Sequence, residues 1–450
     1  MRRRALVAGI AAILAVDVHA QTIQNVPAVG ASVADTLTVT NCDDDGPGSL
    51  RTVLASAASG DSIDLTQLAC SVITLTSGQL ATALDTISLH GSGQTISGAG
   101  NSRVIAHYGA GTLYASGILF AEGAVTGQNP AFGGCVYSSG SVVLRNVTVR
   151  DCLVASAQDF ACAARGGGVF SRNDTYLGQS TVETNEVLPA ACSYSYASGG
   201  GVHSQGTLSI ATSTITGNIV EGGGGYVSGG GLSSRSDVSI RESTISGNSA
   251  YLAGAAALYG NGASYIVNST ISGNYAVFGN AGIWSHDRLL EIWNSTIAFN
   301  SAALPTTPYV HGGGVLIGGL HEYVSLRSSI IADNVVGGVH DDLSLNGPDQ
   351  TIIGSNNLIM SSNGVVPPDT IDGDPMLAPL ADNGGPTPTH ALIPGSPAID
   401  AGNNLAGLPY DQRRTGFQRV IGPAADIGAY EVQQPQSSDV IFIDGFDGAH

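Results

Sequence analysis

One phrase recurs seven times between Ser141 and Asn334 and constrains the fold of this chain more than any other feature. In its clearest copies it reads Gly-Gly-Gly-apolar, a few polar residues, and then apolar-x-x-Ser-Thr-Ile-x-x-Asn. The position of the final Asn recurs at intervals of 26 to 34 residues. Such a period indicates a stack of similar units, because each unit buries its apolar face only against its neighbours.

Aligning the copies produces three apolar columns, and around each column the polarity alternates with period two, as in a half-buried strand. The sequence therefore predicts an all-β fold, a right-handed parallel β-helix with two or three short strands per coil. The variable length falls between each Asn and the next glycine run, so we expect insertions on one side only. The columns are Leu144, Leu177, Ile210, Ile240, Ile266, Ile292 and Leu326; Val149, Val182, Ile215, Ile245, Ile271, Ile297 and Ile331; and Val136, Val169, Val202, Leu232, Ala257, Ile283 and Val315.

The glycine and asparagine columns have a structural interpretation. Glycine suits tight corners that need positive φ or close backbone approach. Stacked amides can bond to each other and to the backbone of neighbouring coils. The second column runs Cys152, Asn185, Asn218, Asn248, Asn274, Asn300 and Asn334.

Five segments follow from the pattern. Arg2 to Arg4, an apolar run and Val18-His19-Ala20 are typical of a secretory signal peptide. A short helix between Gly48 and Ala58 is expected to cap the first coil. The segments are 1–20 (signal peptide), 21–105 (N-terminal cap and first coils), 106–355 (regular coils), 356–432 (C-terminal cap) and 433–450 (linker and tail).

Six cysteines behind a signal peptide indicate three disulfides in an oxidising compartment. Fifteen pairings are open to six cysteines. We favour Cys42–Cys70, Cys135–Cys152 and Cys162–Cys192, the last because both residues lie in the variable loop one coil apart.

The chain has a formal net charge of −19 and no lysine. Nucleic-acid binding is disfavoured, since it requires clustered cationic residues. No apolar stretch is long enough to span a bilayer. We expect a secreted or surface-associated monomer without a transmembrane segment.

Several segments resemble known exported proteins. The paired Gly-Gly-apolar and Ile-x-x-Asn motifs are similar to repeats of polymorphic outer-membrane proteins. The segments Asp382–His390, Gly395–Gly402 and Asp426–Glu431, together with Thr40–Arg51, resemble secreted bacterial β-helix proteins with a choice-of-anchor Q domain. The tail Ile441–Asp447 is similar to C-terminal motifs of exported proteobacterial proteins. The resemblance implies an exported or surface-attached β-helix and no particular reaction.

Catalytic signals are sparse. A galacturonan hydrolase of this fold would carry clustered Asp motifs and Arg-x-Lys, whereas this chain has only His340-Asp341-Asp342 and no lysine. A uronate lyase needs a cation for the carboxylate and a base, and no aligned column collects arginines with His or Tyr. We therefore expect no catalytic residues, with a polysaccharide lyase or glycoside hydrolase as the alternative.

The sequence also contains candidate residues for calcium binding and for ice binding. Asp43 to Asp45, Asp341-Asp342 and Asp372 with Asp374 are candidate calcium ligands, although we favour their interpretation as solvated turns. No cofactor other than calcium is expected. A column of threonines, which resembles the flat face of ice-binding solenoids, precedes the second apolar column; its members are Thr148, Thr181, Thr214, Thr244, Thr270 and Thr296.

The residues that follow the third apolar column should point outward, and they include several rings. We therefore expect a non-catalytic, adhesin-like protein that binds polysaccharides or cell-surface glycans through Tyr137, Phe170, His203 and Trp284. The alternative is that the loops after Cys152 and Asn185 cover the first three rings. The full outward set is Tyr137, Phe170, His203, Ser233, Leu258, Trp284 and Leu316.

Overall fold

The computed structural model describes residues 35–433, apart from 193, 223–225, 261, 287–288, 305–311, 320–322 and 347–349. The signal peptide and nearly all of the tail predicted from the sequence lie outside these residues. The chain forms the predicted parallel β-helix, in which each coil contributes strands to successive sheets. All pairings between named strands are parallel, except that of Val335–Val336 with Val339–His340.

Four sheets make up the coils. Sheet 1 consists of Thr36–Thr38, Ser62–Asp64, Val72–Thr74, Ile87–Ser97, Thr112–Ala121, Ser141–Arg145, Thr148–Arg150, Thr175–Gly178, Thr181–Glu183, Leu208–Ala211, Thr214–Thr216, Val238–Arg241, Thr244–Ser246, Ala263–Val267, Thr270–Ser272, Leu289–Trp293, Thr296–Ala298, Tyr323–Arg327, Ile330–Ala332, Thr351–Ser355 and Leu358–Ile359. Sheet 2 consists of Leu80–Thr82, Ile105–His107, Val136–Ser138, Val169–Ser171, Val202–Ser204, Leu232–Ser234, Ala256–Tyr259, Ile283–His286, Val315–Gly318 and Leu343–Asn346. Sheet 3 consists of Ala124–Gln128, Leu153–Ser156, Glu186–Leu188, Ile219–Val220, Ser249–Ala250, Tyr275–Phe278, Ser301–Leu304, Val335–Val336 and Val339–His340. Sheet 4 consists of Ala131–Phe132, Ala161–Arg165, Tyr194–Ser198 and Tyr226–Ser228.

The predicted apolar columns are confirmed with one correction. The first two columns pair residue for residue through sheet 1, and their side chains fill the main core. In sheet 2, however, Leu232 pairs with Ala256 and Ala256 pairs with Ile283. Ala257 was therefore assigned to the core column wrongly. It occupies the outward position that the sequence analysis gave to Leu258, because three alanines in a row hide the register.

The asparagine column forms the continuous amide ladder predicted from the sequence. The Nδ2 of Asn248 donates to the Oδ1 of Asn274 at 2.9 Å and to the carbonyl of Ile215 at 3.0 Å. The Oδ1 of Asn248 accepts from the backbone N–H of Asn218. The same bonds recur from Asn185 to Asn334. Every amide of the ladder from Asn185 to Asn334 is thus satisfied by neighbouring coils.

A second ladder, of serine hydroxyls, runs beside the first column. The backbone N–H of each repeat serine donates to the Oγ of the next, at 3.0 to 3.3 Å, through Ser180, Ser213, Ser243, Ser269, Ser295 and Ser329. These serines are buried. The Ser of the repeated phrase is therefore structural, like its Asn.

The coil corners require glycine. Gly167 lies where a Cβ atom would be 2.2 Å from the carbonyl oxygen of Gly200 in the next coil.

At the N-terminal end the predicted helix is present as Leu50–Ser56, capped by Ser49, with Leu50 and Leu54 buried in the core. No other helix occurs among the described residues, and none there is long and apolar enough to cross a membrane.

Three disulfides link Cys42 to Cys70, Cys135 to Cys152, and Cys162 to Cys192, the pairs that the sequence favoured. The Cys162–Cys192 bond joins adjacent coils at sheet 4. Cys152 occupies the first position of the asparagine ladder, where its N–H donates to the Oδ1 of Asn185.

The predicted C-terminal cap has two parts. Residues near Ile371 close the last coil, where Ile371 pairs with Leu358. Residues 375–432, called the C-terminal segment below, instead lie along the outside of sheet 1. Gln412 binds both Thr244, at 2.8 Å, and Thr270, at 2.6 Å, and the N–H of Ala429 donates to Thr296.

This location contradicts the ice-binding hypothesis. Thr244, Thr270 and Thr296 are buried beneath the C-terminal segment. Inside that segment, Arg413 forms a buried ion pair with Asp411 at 2.6 Å and lies between the rings of Phe417 and Tyr430. An open threonine face does not exist along these coils.

The asparagine ladder generates the first prediction. Asn248→Ala removes partners from the side chains of Asn218 and Asn274 and from the carbonyl of Ile215. Each unpaired buried group costs about 1–3 kcal/mol, so denaturant unfolding should show a loss of several kcal/mol. Asn101→Ala, in an exposed turn, is the control. Equal stability of the two variants would contradict the structural role of the ladder.

Candidate functional site

The outward rings of sheet 2 form a stack that sheet 4 covers. Phe170 is 0% exposed and His203 is 1% exposed. Phe170 lies parallel to Phe132 of sheet 4, with 4.5 Å between centroids, and to His203 at 5.4 Å. The alternative expectation of a covered satellite core is therefore correct for Phe170 and His203, and neither ring offers a surface to a ligand.

His203 is a neutral member of this stack. Its Nδ1 lies 3.0 Å from the Oγ of Ser198, and its Nε2 has no hydrogen-bond partner among the described residues. Burial, together with the positive charges of Arg165 and Arg235, holds the pKa of His203 well below its usual range. The imidazole is therefore uncharged at neutral pH.

Tyr137 and Trp284 occupy the two ends of the row. Trp284 is half-buried and meets the ring of Tyr259 edge-on, with centroids 5.2 Å apart. Tyr137 is 9% exposed and stacks on Phe170 with one side of its ring. Its hydroxyl end lies at a cavity, so Tyr137 is the one predicted ring that joins an open site.

The cavity has a volume of about 440 Å³ and lies between sheet 2 and the start of sheets 3 and 4. Its lining is polar and cationic, and it contains no carboxylate. The lining residues are Gln79, Asn101, Ser102, Arg103, Tyr108, Ala124, Val125, Thr126, Gln128, Pro130, Phe132, Tyr137 and Arg172.

Two arginines approach Tyr137 in this cavity. The Nε of Arg172 donates to the Tyr137 hydroxyl at 3.1 Å, and the guanidinium of Arg103 lies 5.2 Å from the ring centroid. Burial favours the neutral phenol, but the hydrogen bonds of Ser139 and Arg172 and the two positive charges outweigh burial and lower the pKa of Tyr137. The phenolate is therefore more accessible here than in an ordinary tyrosine.

Arg103 and Arg172 differ in burial and in the number of their hydrogen-bond partners. Arg103 is buried and donates to the carbonyls of Gly133 and Phe132 and to the Oε1 of Gln79. Arg172 is exposed and forms no ion pair with a described carboxylate. Arg103 is thus a fixed positive charge, while Arg172 retains N–H groups that can bind an anion.

Arg172 belongs to a polar column that the sequence analysis missed. The column lies three residues after each core residue of sheet 2, and backbone bonds place its members in successive coils. Counting from Ala256 instead of Ala257 brings Tyr259 into line, and the column then collects arginine, tyrosine and histidine. Its members are Tyr108, Ser139, Arg172, Gln205, Arg235, Tyr259 and His286.

Tyr259 contrasts with Tyr137. Burial raises the pKa of Tyr259 to about 12, although a hydrogen bond with Ser228 at 2.6 Å opposes this shift. Tyr259 therefore stays protonated under ordinary conditions. The pKa values of Tyr137 and Tyr259 are therefore shifted in opposite directions.

The candidate Asp motif is structural. Asp342 is buried and ends the asparagine ladder, where its Oδ1 accepts from the Nδ2 of Asn334 at 2.8 Å and its Oδ2 accepts from Ser361. Burial raises the pKa of Asp342 despite these bonds. No arginine forms an ion pair with Asp342 within the described ranges.

The candidate calcium residues do not form a cluster. Asp44 pairs with Arg51 at 2.6 Å and accepts from Thr76 and Ser77. Within the part of the chain that is described, no group of three or more His, Cys, Asp or Glu side chains is close enough to hold a metal ion. Calcium binding stays a prediction.

Comparisons with known proteins add little to this geometry. No family model and no curated protein matches the chain. Among solved structures, the chain is similar to the crystal structure of pectate lyase Pel9A, with a TM-score of 0.48 and 14% identity over 90% of this chain and 98% of that chain. The fold assignment rests on the strand pairings above.

The ring stack generates the second prediction. Phe170→Ala would leave a void among Phe132, Tyr137 and His203, and such truncations cost about 3–5 kcal/mol. Denaturant unfolding should detect this loss. Tyr323→Ala, which removes a ring that is 46% exposed, should cost far less. Similar unfolding free energies for both variants would contradict the covered stack.

Proposed function

We propose that the protein binds a uronic-acid polysaccharide at the cavity and along the polar column, and cleaves it by β-elimination. The observation that carries this proposal is the contact between the Tyr137 hydroxyl and Arg172, above the buried charge of Arg103. It brings a cation and a base of lowered pKa into one open site. This arrangement supports a polysaccharide lyase, the alternative named from the sequence, better than an adhesin-like protein. The adhesin-like function required a row of exposed rings, and two of those rings, Phe170 and His203, are buried.

In the proposed reaction Arg172 binds the uronate carboxylate and so makes the proton on the adjacent carbon more acidic. Tyr137 in its phenolate form removes that proton, and the electron pair forms a carbon–carbon double bond as the glycosidic C–O bond breaks. The leaving oxygen takes a proton from Tyr108, whose hydroxyl accepts from Gln79 at 3.2 Å. Arg103 stabilises the phenolate through its charge and fixes the ring from below.

Hydrolysis fits the cavity less well than elimination. Glycoside hydrolases generally place two carboxyl groups on either side of the scissile bond. The residues that line the cavity include no Asp or Glu. The buried Asp342 is already occupied by Asn334 and Ser361.

We further propose that the protein acts outside the cell, as a monomer. Three disulfides support an oxidising compartment. The pattern of residues 1–20 supports export, and the resemblance of the C-terminal segment to choice-of-anchor Q domains supports attachment to a surface. The formal net charge of −19 is consistent with an extracellular location.

The third prediction tests elimination directly. The mature protein, incubated with a panel of uronic-acid polysaccharides, should release products that absorb in the ultraviolet because they contain a double bond. Tyr137→Phe should reduce the rate by roughly 10²-fold or more, since it removes the base. Tyr176→Phe is the control, because Arg145 lies over Tyr176 in sheet 1 in a comparable pair. New reducing ends without absorbance would instead indicate hydrolysis.

The fourth prediction concerns pH. Because the phenolate is the active form, the rate should rise with pH through the pKa of Tyr137, with a midpoint below the ordinary tyrosine value of about 10. Arg172→Gln removes a charge and a hydrogen bond that stabilise the phenolate, so its midpoint should move to higher pH. The midpoint for Arg145→Gln should not move. An identical profile for all three proteins would exclude Tyr137 as the base.

A further inference from the structure

Three tyrosines on the outer face of sheet 4, together with Phe160 just before it, are aromatic rings that belong neither to the ring stack nor to the cavity. Phe160 is 70% exposed, Tyr194 53%, Tyr196 36% and Tyr226 65%. The opposite face of the sheet is apolar and buried against sheet 3 through Ala164, Ala197 and Val227, among others. The exposed rings therefore belong to a surface that no described part of the chain covers.

These rings are held in a regular arrangement. Tyr196 pairs with Tyr226 across adjacent strands, with centroids 5.7 Å apart and planes within 10° of parallel. Phe160 meets Tyr194 edge-on at 5.3 Å. The Cys162–Cys192 disulfide joins the strand Ala161–Arg165, which follows Phe160, to the segment just before the strand of Tyr194. The rings are thus preorganised, which limits the entropy lost on binding.

A step in the sheet leaves ring faces open. In the preceding strand the partners of Tyr194 and Tyr196 are Ala161 and Ala163. Alanine methyls cannot cover a phenol ring, so the face of Tyr196 toward the N-terminal coils stays accessible, whereas Tyr194 also meets Phe160. The side chain of Asn129 donates to the carbonyl of Ala161 and accepts from the N–H of Ala163, and so lies at the base of this step.

The step is continuous with the cavity. Arg165 pairs with Phe132, so Ala163, two residues before Arg165, points to the same side of sheet 4 as the cavity residues Pro130 and Phe132. Ala163 and Arg165 both belong to the strand between that of Phe132 and that of Tyr196, and Arg165 forms no ion pair with a described carboxylate. The strand between the cavity and the aromatic surface therefore carries a cation on the side that Phe132 and Tyr196 share.

From this continuity we infer that the outer face of sheet 4 is a stacking surface for sugar rings of the same polysaccharide, beyond the residue bound in the cavity. This inference rests on the proposed function. Sugar rings lie against open aromatic faces, as on Tyr196 above Ala163, while carboxylates along the chain bind Arg165 and Arg172. A surface that combines rings and arginines fits an anionic polysaccharide, whose rings have apolar faces and charged edges.

The test measures affinity for uronic-acid oligosaccharides of increasing length by calorimetry, with Tyr137→Phe in every protein so that cleavage is too slow to disturb the titration. Adding Tyr196→Ala and Tyr226→Ala should weaken binding of a hexamer roughly five- to tenfold, in line with the strength of ring stacking, and leave binding of a dimer unchanged. Tyr275→Ala, which removes a ring that is 42% exposed in sheet 3, should alter neither affinity. Tyr196→Phe should retain hexamer binding.

The outcomes separate the two proposals. Unchanged hexamer affinity in the double tyrosine variant would overturn the stacking surface and leave the cavity proposal standing. Equal losses for dimer and hexamer would also overturn it, since they would indicate a structural effect. If Tyr137→Phe binds a uronic-acid hexamer through Tyr196 and Tyr226 but the parent protein releases no ultraviolet-absorbing product, the stacking surface stands and cleavage by elimination fails. Absence of binding to any uronic-acid hexamer would overturn both.

Discussion

The buried amide of asparagine is the constraint on which this solenoid depends. Each Asn side chain in the ladder donates to the next coil and to the preceding one, and accepts from the preceding one. None has water as a substitute, because all of them are buried. Slipping one coil by a residue would leave several of these groups unpaired, at a cost that a few kcal/mol of net stability cannot absorb. The ladder therefore holds the register, and the register aligns every other column, including the arginines and rings outside.

The repeat predicted the coils because buried columns obey a strict period. The three apolar columns, the amide ladder and the one-sided insertions all follow from it. The prediction was wrong at Ala257, where Ala255, Ala256 and Ala257 have the same size and polarity and so contain no register information. The aromatic row was located correctly. Its burial depends on strands such as Ala161–Arg165, which lie within insertions of variable length and occur in only some of the coils.

The site was harder to predict than the fold. Arg172 and Tyr137 come from adjacent coils, whereas Arg103 and Gln79 come from the irregular first coils, which the repeat does not reach. The repeat therefore could not predict that these four side chains meet in one cavity. The column of Arg172, Arg235 and His286 could have been found from the sequence, because each lies three residues after a member of the third apolar column, and the correct register at Ala256 adds Tyr259. The position of the C-terminal segment could not, because it has no periodicity.

The C-terminal segment also has a consequence for the order of folding. Coil-to-coil contacts join residues about one repeat apart, so the solenoid can grow by local addition. Gln412 and Thr244, by contrast, are 168 residues apart in sequence, and Asn268 and the carbonyl of Tyr410 are 142 apart. The surface that receives the segment exists only after several coils have stacked, and such distant closures are slow. We therefore expect the C-terminal segment to dock late in folding, onto coils that have already formed.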